Sequence, residues 1–150
     1  MKDLFCGETI DRFDEENSFL SNFFLTDIQY GEKIYKSSEH LFQVLKATNE
    51  VDRELIRKAT TPGRAKRLGR RIKCREDWDK VKDAAMVIVL TLKFTQNSEL
   101  KEKLLATEEK LLIEGNNWGD KYWGQVNGVG KNKLGRILMS LRGAIRRLRK

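Results

Sequence analysis

The sequence predicts an α+β fold, a mainly helical single domain with a small β-hairpin or sheet. Three observations carry it. Apolar residues recur at helical spacing through most of the chain beyond residue 38, one pair of alternating runs flanks Gly31-Glu32, and the 150 residues include one proline and no Ser/Gly-rich tract. A chain of this length can bury a core as one domain over residues 1–150.

Taken in order, Asn17-Ser-Phe-Leu-Ser-Asn-Phe-Phe24 is aromatic and punctuated by polar turn formers, and reads as irregular chain or a short strand. Ile28-Gln-Tyr-Gly-Glu-Lys-Ile-Tyr35 places Gly31-Glu32 between two short alternating runs, a hairpin signal. Ser37 or Ser38 then caps a helix through Glu39 to about Lys46, with Leu41, Phe42 and Leu45 as its apolar stripe. A further helix is expected over Val51 to Ala59. Thr60-Thr61-Pro62 restarts the chain, with threonine at the cap and proline at the first helical position, followed by Ala65 and Leu68 before Gly69.

From about Asp77 to Thr95 the run Val81, Ala84, Ala85, Val87, Ile88, Val89, Leu90, Leu92, Phe94 is apolar on more than one face, which predicts a central buried helix. Ser98 caps a helix over Glu99 to Ala106, and Leu111-Leu-Ile113 is a short apolar run suited to a strand. The segment from Glu114 to Gly130 is rich in glycine and aromatics. A last helix begins near Asn132, where Leu134, Ile137, Leu138, Leu141, Ile145 and Leu148 repeat at helical spacing. Arg136, Arg142, Arg146 and Arg149 are assigned to its opposite face.

Charge is unevenly spread. Of the 30 basic and 22 acidic residues, the last twenty positions hold eight basic and no acidic ones, so the net +8 belongs to them. A second basic stretch, residues 53–75, carries ten basic groups and one acidic. Two basic segments on a mildly acidic body suit phosphate-rich partners, a polynucleotide or a phosphorylated small molecule, although solvated helix faces explain them as well. No stretch approaches the roughly 20 apolar residues of a membrane span, and the acidic N-terminus lacks a signal-peptide pattern. Cys6 and Cys74 have no CxxC spacing and His40 is the only histidine, so no zinc motif is formed. A reduced, cytoplasmic protein with no membrane partner, metal or cofactor is expected.

Two constellations carry chemistry. Glu39, Gln43 and Lys46 stand at i, i+4 and i+7, presenting a carboxylate, an amide and an amine along one helix face. That row suits acid/base work or attack by the amine on an electrophilic carbon; an ordinary surface charge pair has the same spacing. The second is Glu114-Gly-Asn-Asn-Trp-Gly-Asp-Lys-Tyr-Trp-Gly124 followed by Gly128-Val-Gly-Lys-Asn-Lys-Leu-Gly135. Its glycines allow tight turns that hold aromatic faces and the Asp120 carboxylate around a ligand. The glycine-lysine part leads into a helix N-terminus that could take an anion, but lacks the GxxxxGK[ST] order of a nucleotide-triphosphate loop.

In order along the chain, Phe19-Leu-Ser-Asn-Phe23, Ser38-Glu-His-Leu-Phe-Gln43 with Lys46, Thr61-Pro-Gly-Arg-Ala-Lys-Arg-Leu-Gly-Arg70, Trp78, Lys93-Phe94, Glu114, Trp118-Gly-Asp120, Trp123-Gly124 and Gly130-Lys-Asn-Lys-Leu-Gly135 resemble the NADAR family, over roughly residues 15 to 145. The family includes riboflavin-intermediate N-glycosidases. The resemblance implies a hydrolase of the N-glycosidic bond to a phosphorylated ribose, acting either on early riboflavin intermediates or on ADP-ribose attached to guanine in nucleic acid.

By the same resemblance, Glu39 would be the acid/base carboxylate, Lys46 an amine nucleophile or a phosphate ligand, and Asp120 a group that orients a ribose hydroxyl or stabilises positive charge at the sugar. Asn22, Gln43, Arg64, Lys66, Trp78, Trp118, Gly119, Trp123, Lys131 and Asn132 would contact substrate, with core packing as the alternative for a tryptophan and a solvated helix face for Arg67 and Arg70. His40 points about 100° away from Glu39 around the helix and reads as a structural neighbour.

The basic C-terminal helix tilts the substrate toward ADP-ribosylated nucleic acid, because a free intermediate needs only a local anion site. Two further readings remain. A module that binds ADP-ribose or NAD without cleaving it needs no set such as Glu39, Lys46 and Asp120. A basic structural nucleic-acid protein leaves the Trp-Gly motifs unexplained.

Overall fold

The computed structural model describes residues 8–149; Cys6 and Lys150 lie outside the described residues. The chain forms two compact units. One runs from Asn22 to Asn97, and the other joins the segment ending at Ser21 to the segment beginning at Ser98.

In the unit from Asn22 to Asn97, strands β2 (Leu25–Tyr30) and β3 (Lys33–Ser37) form the expected hairpin, with Tyr30 opposite Lys33 across the Gly31-Glu32 turn and a bulge between Leu25 and Ile28. Strand β3 runs without a loop into helix α1 (Ser38–Lys46). Ser37 makes this junction possible: it ends the strand in extended conformation, and its hydroxyl accepts the His40 backbone N–H, satisfying a first-turn donor that the helix itself cannot. Helices α2 (Glu50–Arg57) and α3 (Pro62–Gly69) begin in the same way, with the Asn49 and Thr61 side chains accepting from Asp52 N and Arg64 N.

The Glu54 carboxylate accepts from Arg57 and from Lys33, tying α2 to β3, and the Arg57 bonds, followed by that of Lys33, hold its pKa down to about 2. Helix α4 (Trp78–Gln96) packs on α1 and on β2.

Helix α4 departs from the all-round burial that its apolar run predicts. It buries one stripe, Ala85, Met86, Val89, Leu90, Lys93 and Phe94, while Val87 and Ile88 are 45% and 44% exposed. The reason is spacing: the buried residues repeat at three and four, so they line one side, and the stripe includes a lysine. Lys93 Nζ lies 5.6 Å from the Phe24 ring centre and 5.1 Å from that of Phe94, where a cation meets the negative ring face.

In the other unit, β1 (Thr9–Ile10) pairs in parallel with β4 (Leu111–Leu112), a partnership between segments near opposite ends of the chain that local pattern cannot signal. The stretch expected as irregular chain or strand begins instead as a 3₁₀ helix, Glu15–Leu20, which buries Phe19 and Leu20. Helix α5 (Ser98–Leu105) includes Ser98 in its first turn, and α6 (Lys133–Leu148) packs on β4 and α5. No helix among the described residues is long and apolar enough to cross a membrane.

Arg142 corrects the assignment of the α6 arginines to a solvated opposite face. It is 5% exposed, on the buried side with Leu134, Leu138 and Ile145, because a residue four positions beyond Leu138 stands only about 40° from it around the helix. Its Nη1 donates to the Thr107 hydroxyl and to the Lys110 carbonyl, both at 2.9 Å. Arg146 donates to Glu109 and to the Glu108 carbonyl, and Arg149 to Glu102. Three of the four arginines therefore hold α6 to the chain around α5 and the turn after it; Arg142 does so from the buried side, while Arg136, Arg146 and Arg149 lie on the more exposed side as expected.

Candidate active site

Helix α1 is buried at every residue from Ser38 to Val44, so its polar side chains are set in the unit rather than laid on its surface. Glu39 and Gln43 are each 6% exposed, and the Gln43 Nε2 donates to Glu39 Oε2 across 2.6 Å. Lys46 Nζ donates to the other end of the same amide, Gln43 Oε1, at 3.4 Å. A carboxylate accepts and an ammonium donates, so these two neighbours determine which way round the Gln43 amide lies. The spacing i, i+4, i+7 thus becomes a continuous hydrogen-bonded row of acid, amide and amine.

Two anchors hold this helix. The Asn22 carbonyl accepts the Glu39 N–H at 3.0 Å and the Ser38 hydroxyl at 3.2 Å, and the Asn22 side-chain oxygen accepts the same hydroxyl at 2.9 Å. Asn22 thereby fixes the backbone that carries Glu39. On the far side, fully buried His40 has Nε2 3.0 Å from the Ala59 carbonyl and Nδ1 2.8 Å from the Ser37 hydroxyl. A carbonyl can only accept, so Nε2 carries the proton and Nδ1 accepts from Ser37. Burial pushes the His40 pKa below its ordinary value, in keeping with a neutral ring that pins α1 to the chain after α2.

Trp78 packs on α1 as well, its ring centre 5.1 Å from that of Phe42 with the planes tilted by 54°. Lys66 Nζ lies 5.9 Å from the Phe23 ring centre. Arg64 is exposed, and its backbone N–H takes the Thr61 cap. None of Arg64, Arg67, Arg70 and Arg71 pairs with an acid among the described residues, so α3 and the chain just beyond it carry a cluster of uncompensated arginines.

In the other unit, Asn116 organises the loop from Glu114 to Gln125. Its Nδ2 donates to the Asp120 carbonyl at 2.9 Å, and its Oδ1 accepts the Asp120 N–H at 3.0 Å. Asp120 Oδ1 accepts the backbone N–H groups of Tyr122 and Trp123 at 3.0 and 2.9 Å, so this oxygen shapes the loop. Gly119 has φ of +88°, a conformation that favours glycine, and beside it Trp118 is 61% exposed. Trp123 meets Tyr122 edge to face, and Lys131 Nζ is 5.3 Å from the Tyr122 ring centre.

Asn132 is held by backbone. It is 6% exposed, its Oδ1 accepts Glu114 N–H at 3.0 Å, and its Nδ2 donates to the Leu112 carbonyl at 2.9 Å, so the amide is engaged with backbone at both ends. The organising role of Asn116 is not foreseen from the sequence, whereas His40 has the structural place expected of it. The Asn-x-x-x-Asp spacing of Asn116 and Asp120 is the one signal that points to the first.

Against known families, the description NADAR domain matches residues 5–146. The chain belongs to the NADAR family. The N-glycosidase YbiA of Escherichia coli is 43% identical over 125 residues, covering 81% of this chain and 78% of that protein. An N-glycosidase of Nostoc punctiforme is 37% identical over 134 residues, covering 85% of each. A riboflavin biosynthesis protein of Vibrio vulnificus is 36% identical over 132 residues, of which this chain spans about a third, 36%. The NMR structure of the E. coli protein YbiA superposes with a TM-score of 0.84 at 37% identity, covering 95% of this chain and 89% of that one. This NADAR member thus has the α+β architecture that its sequence implies.

Proposed function

We propose that this N-glycosidase hydrolyses the bond between a base nitrogen and the anomeric carbon of a phosphorylated ribose, with Glu39 moving the proton. The N-glycosidase class is that of the relatives named so at 43–44% identity. The role of Glu39 is supported by one observation above others, the row in which buried Glu39 and Gln43 are joined to half-buried Lys46. A carboxylate among surface charges would have no reason to be 6% exposed with its amide partner equally buried.

The chemistry needs only water as co-reactant. The C1–O4′ bond opens as the base nitrogen forms a double bond to C1, with O4′ taking a proton from the Lys46 ammonium, and the freed amine adds to C1. The C1–N bond to the base then breaks with its electron pair staying on the base nitrogen, which Glu39 protonates, while the Lys46 nitrogen returns a proton to Glu39 and becomes the imine. Water then hydrolyses the resulting imine, returning the amine and releasing ribose phosphate as its aldehyde. In this reading Arg64 and Lys66, in the unit that carries Glu39, take phosphate; contacts of Asp120, Trp118 and Trp123 with sugar and base, and positive charge from Lys131, are what the family resemblance alone implies. Asn22 serves by holding the Glu39 backbone, and Asn132 by bracing the chain at Leu112 and Glu114.

Early riboflavin intermediates are the first substrate class, in line with relatives named for riboflavin biosynthesis. ADP-ribose on guanine in nucleic acid is the second. Its electrostatic support comes from the unpaired arginines on and after α3, since those of α6 are largely engaged within the fold. Incubation with freshly made riboflavin intermediates and, separately, with ADP-ribosylated DNA, followed by chromatography of the products, tests both. Base release from the intermediates alone supports the first, and ADP-ribose release alone the second. If neither is cleaved, the proposed bond is wrong.

A further inference from the structure

Gly69 ends α3 with ordinary helical backbone: it has no positive φ, and α3 continues into a right-handed Arg70. Glycine in a helix costs about 1 kcal/mol relative to alanine, so its presence here asks for a packing reason. That reason is Gln43. A Cβ built on Gly69 would stand 2.7 Å from Gln43 Cδ, 3.2 Å from Cγ and closer still to Oε1, with no other atom among its three nearest. Gly69 is itself buried, and α3 and α1 pack together there.

We infer that Gly69 is a positioning residue for the reaction, acting through Gln43. The inference rests on the reading in which Glu39 carries the proton. The hydrogen atom at Gly69 leaves the space in which the Gln43 side chain lies, with Nε2 toward Glu39 and Oε1 toward Lys46. Any side chain at 69 drives the Gln43 end elsewhere. Because the displaced atoms are the far end of a flexible side chain, the fold absorbs the change at little cost. The acid does not, because Glu39 loses the donor 2.6 Å away and the amine its amide acceptor.

The test is a double-mutant cycle with Gly69→Ala, Gln43→Ala and the pair together, measured for kcat, KM and pH profile on the cleaved substrate and for melting temperature. Gly69→Ala is expected to melt close to the parent and to lose kcat by about tenfold or more, since small misplacements of catalytic groups cost that much. KM should move by less than about threefold, because Arg64 and Lys66, the phosphate ligands of the proposed function, stay in place. The alkaline limb of the kcat profile, where the Glu39 acid loses its proton, should move to higher pH in Gly69→Ala and Gln43→Ala alike, since each removes a hydrogen bond that favours the ionised carboxylate.

In the Gln43→Ala background, Gly69→Ala should cost nothing further. Parental kcat in Gly69→Ala overturns the inference, and so does an equal fold-loss in both backgrounds. Should Gly69→Ala fail to fold, Gly69→Ser in the Gln43→Ala background must fold and equal Gln43→Ala in kcat, or the inference fails. Glu39→Gln is run alongside: full activity there removes the parent reading, whereas an inactive Glu39→Gln with a fully active Gly69→Ala removes only the role of Gly69.

Discussion

The Arg142 guanidinium donates to the Thr107 hydroxyl across 2.9 Å, and that hydroxyl donates in turn to the Leu104 carbonyl at 2.6 Å. The chain of bonds satisfies a carbonyl at the C-terminal end of α5, where helical partners run out. A charge that looks available for phosphate is therefore part of the fold. Burial, followed by the neighbouring Arg146, lowers the Arg142 pKa from its ordinary value, a sign of how dry the site is. Arg142→Met should cost about 2 kcal/mol, the usual worth of hydrogen bonds to a buried charged donor. Urea denaturation measures it, and an unchanged midpoint would contradict the structural role.

In the proposed nucleic-acid substrate class, Arg67, Arg70 and Arg71 would supply the basic charge for extended phosphates. Replacing the three by alanine should reduce the salt dependence of DNA binding, with the slope of log affinity against log salt falling by about one for each phosphate no longer neutralised. Replacing Arg142, Arg146 and Arg149 should leave that slope nearly intact. Titrations of a fluorescent oligonucleotide at several salt concentrations separate the two, and the opposite ranking would return the nucleic-acid surface to α6.

Glu39→Gln keeps the shape of the side chain and removes its proton transfer. Turnover should fall by about a hundredfold or more, while affinity for substrate stays within severalfold. Single-turnover kinetics with separate binding measurements read both quantities. Near-parental turnover would take Glu39 out of the mechanism.

Attack by Lys46 implies an imine between its amine and the sugar. Borohydride added during turnover should reduce that imine and leave a stable adduct at Lys46, visible as a mass increase on the peptide that carries it. Lys46→Arg, which keeps charge and loses the nucleophile, should give no adduct. Inactivation without an adduct in the parent protein would assign Lys46 to phosphate instead.

His40 gives the fold a pH dependence. Its folded-state pKa lies below the ordinary 6.5, so the folded protein favours the neutral ring and binds fewer protons than the unfolded chain. This contribution is fully present above about pH 6.5 and is lost as pH falls from there through the folded pKa. Stability measured from pH 7.5 down to pH 5 should decline in the parent, and the decline should shrink in His40→Gln, whose amide can still donate toward Ala59. An equal decline in both would show that other groups carry it.

Much of α1 was legible in the residues. Ser37, the stripe of Leu41 and Phe42, and the i, i+4, i+7 row of Glu39, Gln43 and Lys46 are all local, and helix geometry alone brings them onto one face. The hairpin across Gly31-Glu32 and the start of α3 at Thr61-Pro62 are local for the same reason. The 3₁₀ turn at Glu15–Leu20 was not legible, because its hydrogen bonds are short-ranged while its apolar content resembles that of a strand. Nor was the pairing of Thr9–Ile10 with Leu111–Leu112, which depends on a chain contact no window contains.

The sequence by itself determined the family, the helical stripes and the order of chemistry-bearing residues, since each is a matter of residue type and spacing. Tertiary structure decided what those residues are free to do. Arg142 and Asn132 are engaged with backbone and, for Arg142, with Thr107; Asp120 keeps one carboxylate oxygen for its own loop, and Gln43 has room only because Gly69 has no side chain. The physical reason is common to all of them: a hydrogen-bonding group is available to a substrate only if the fold has not already satisfied it, and that is settled by neighbours distant in sequence for Arg142, Asn132 and Gln43 and by the loop's own folding for Asp120.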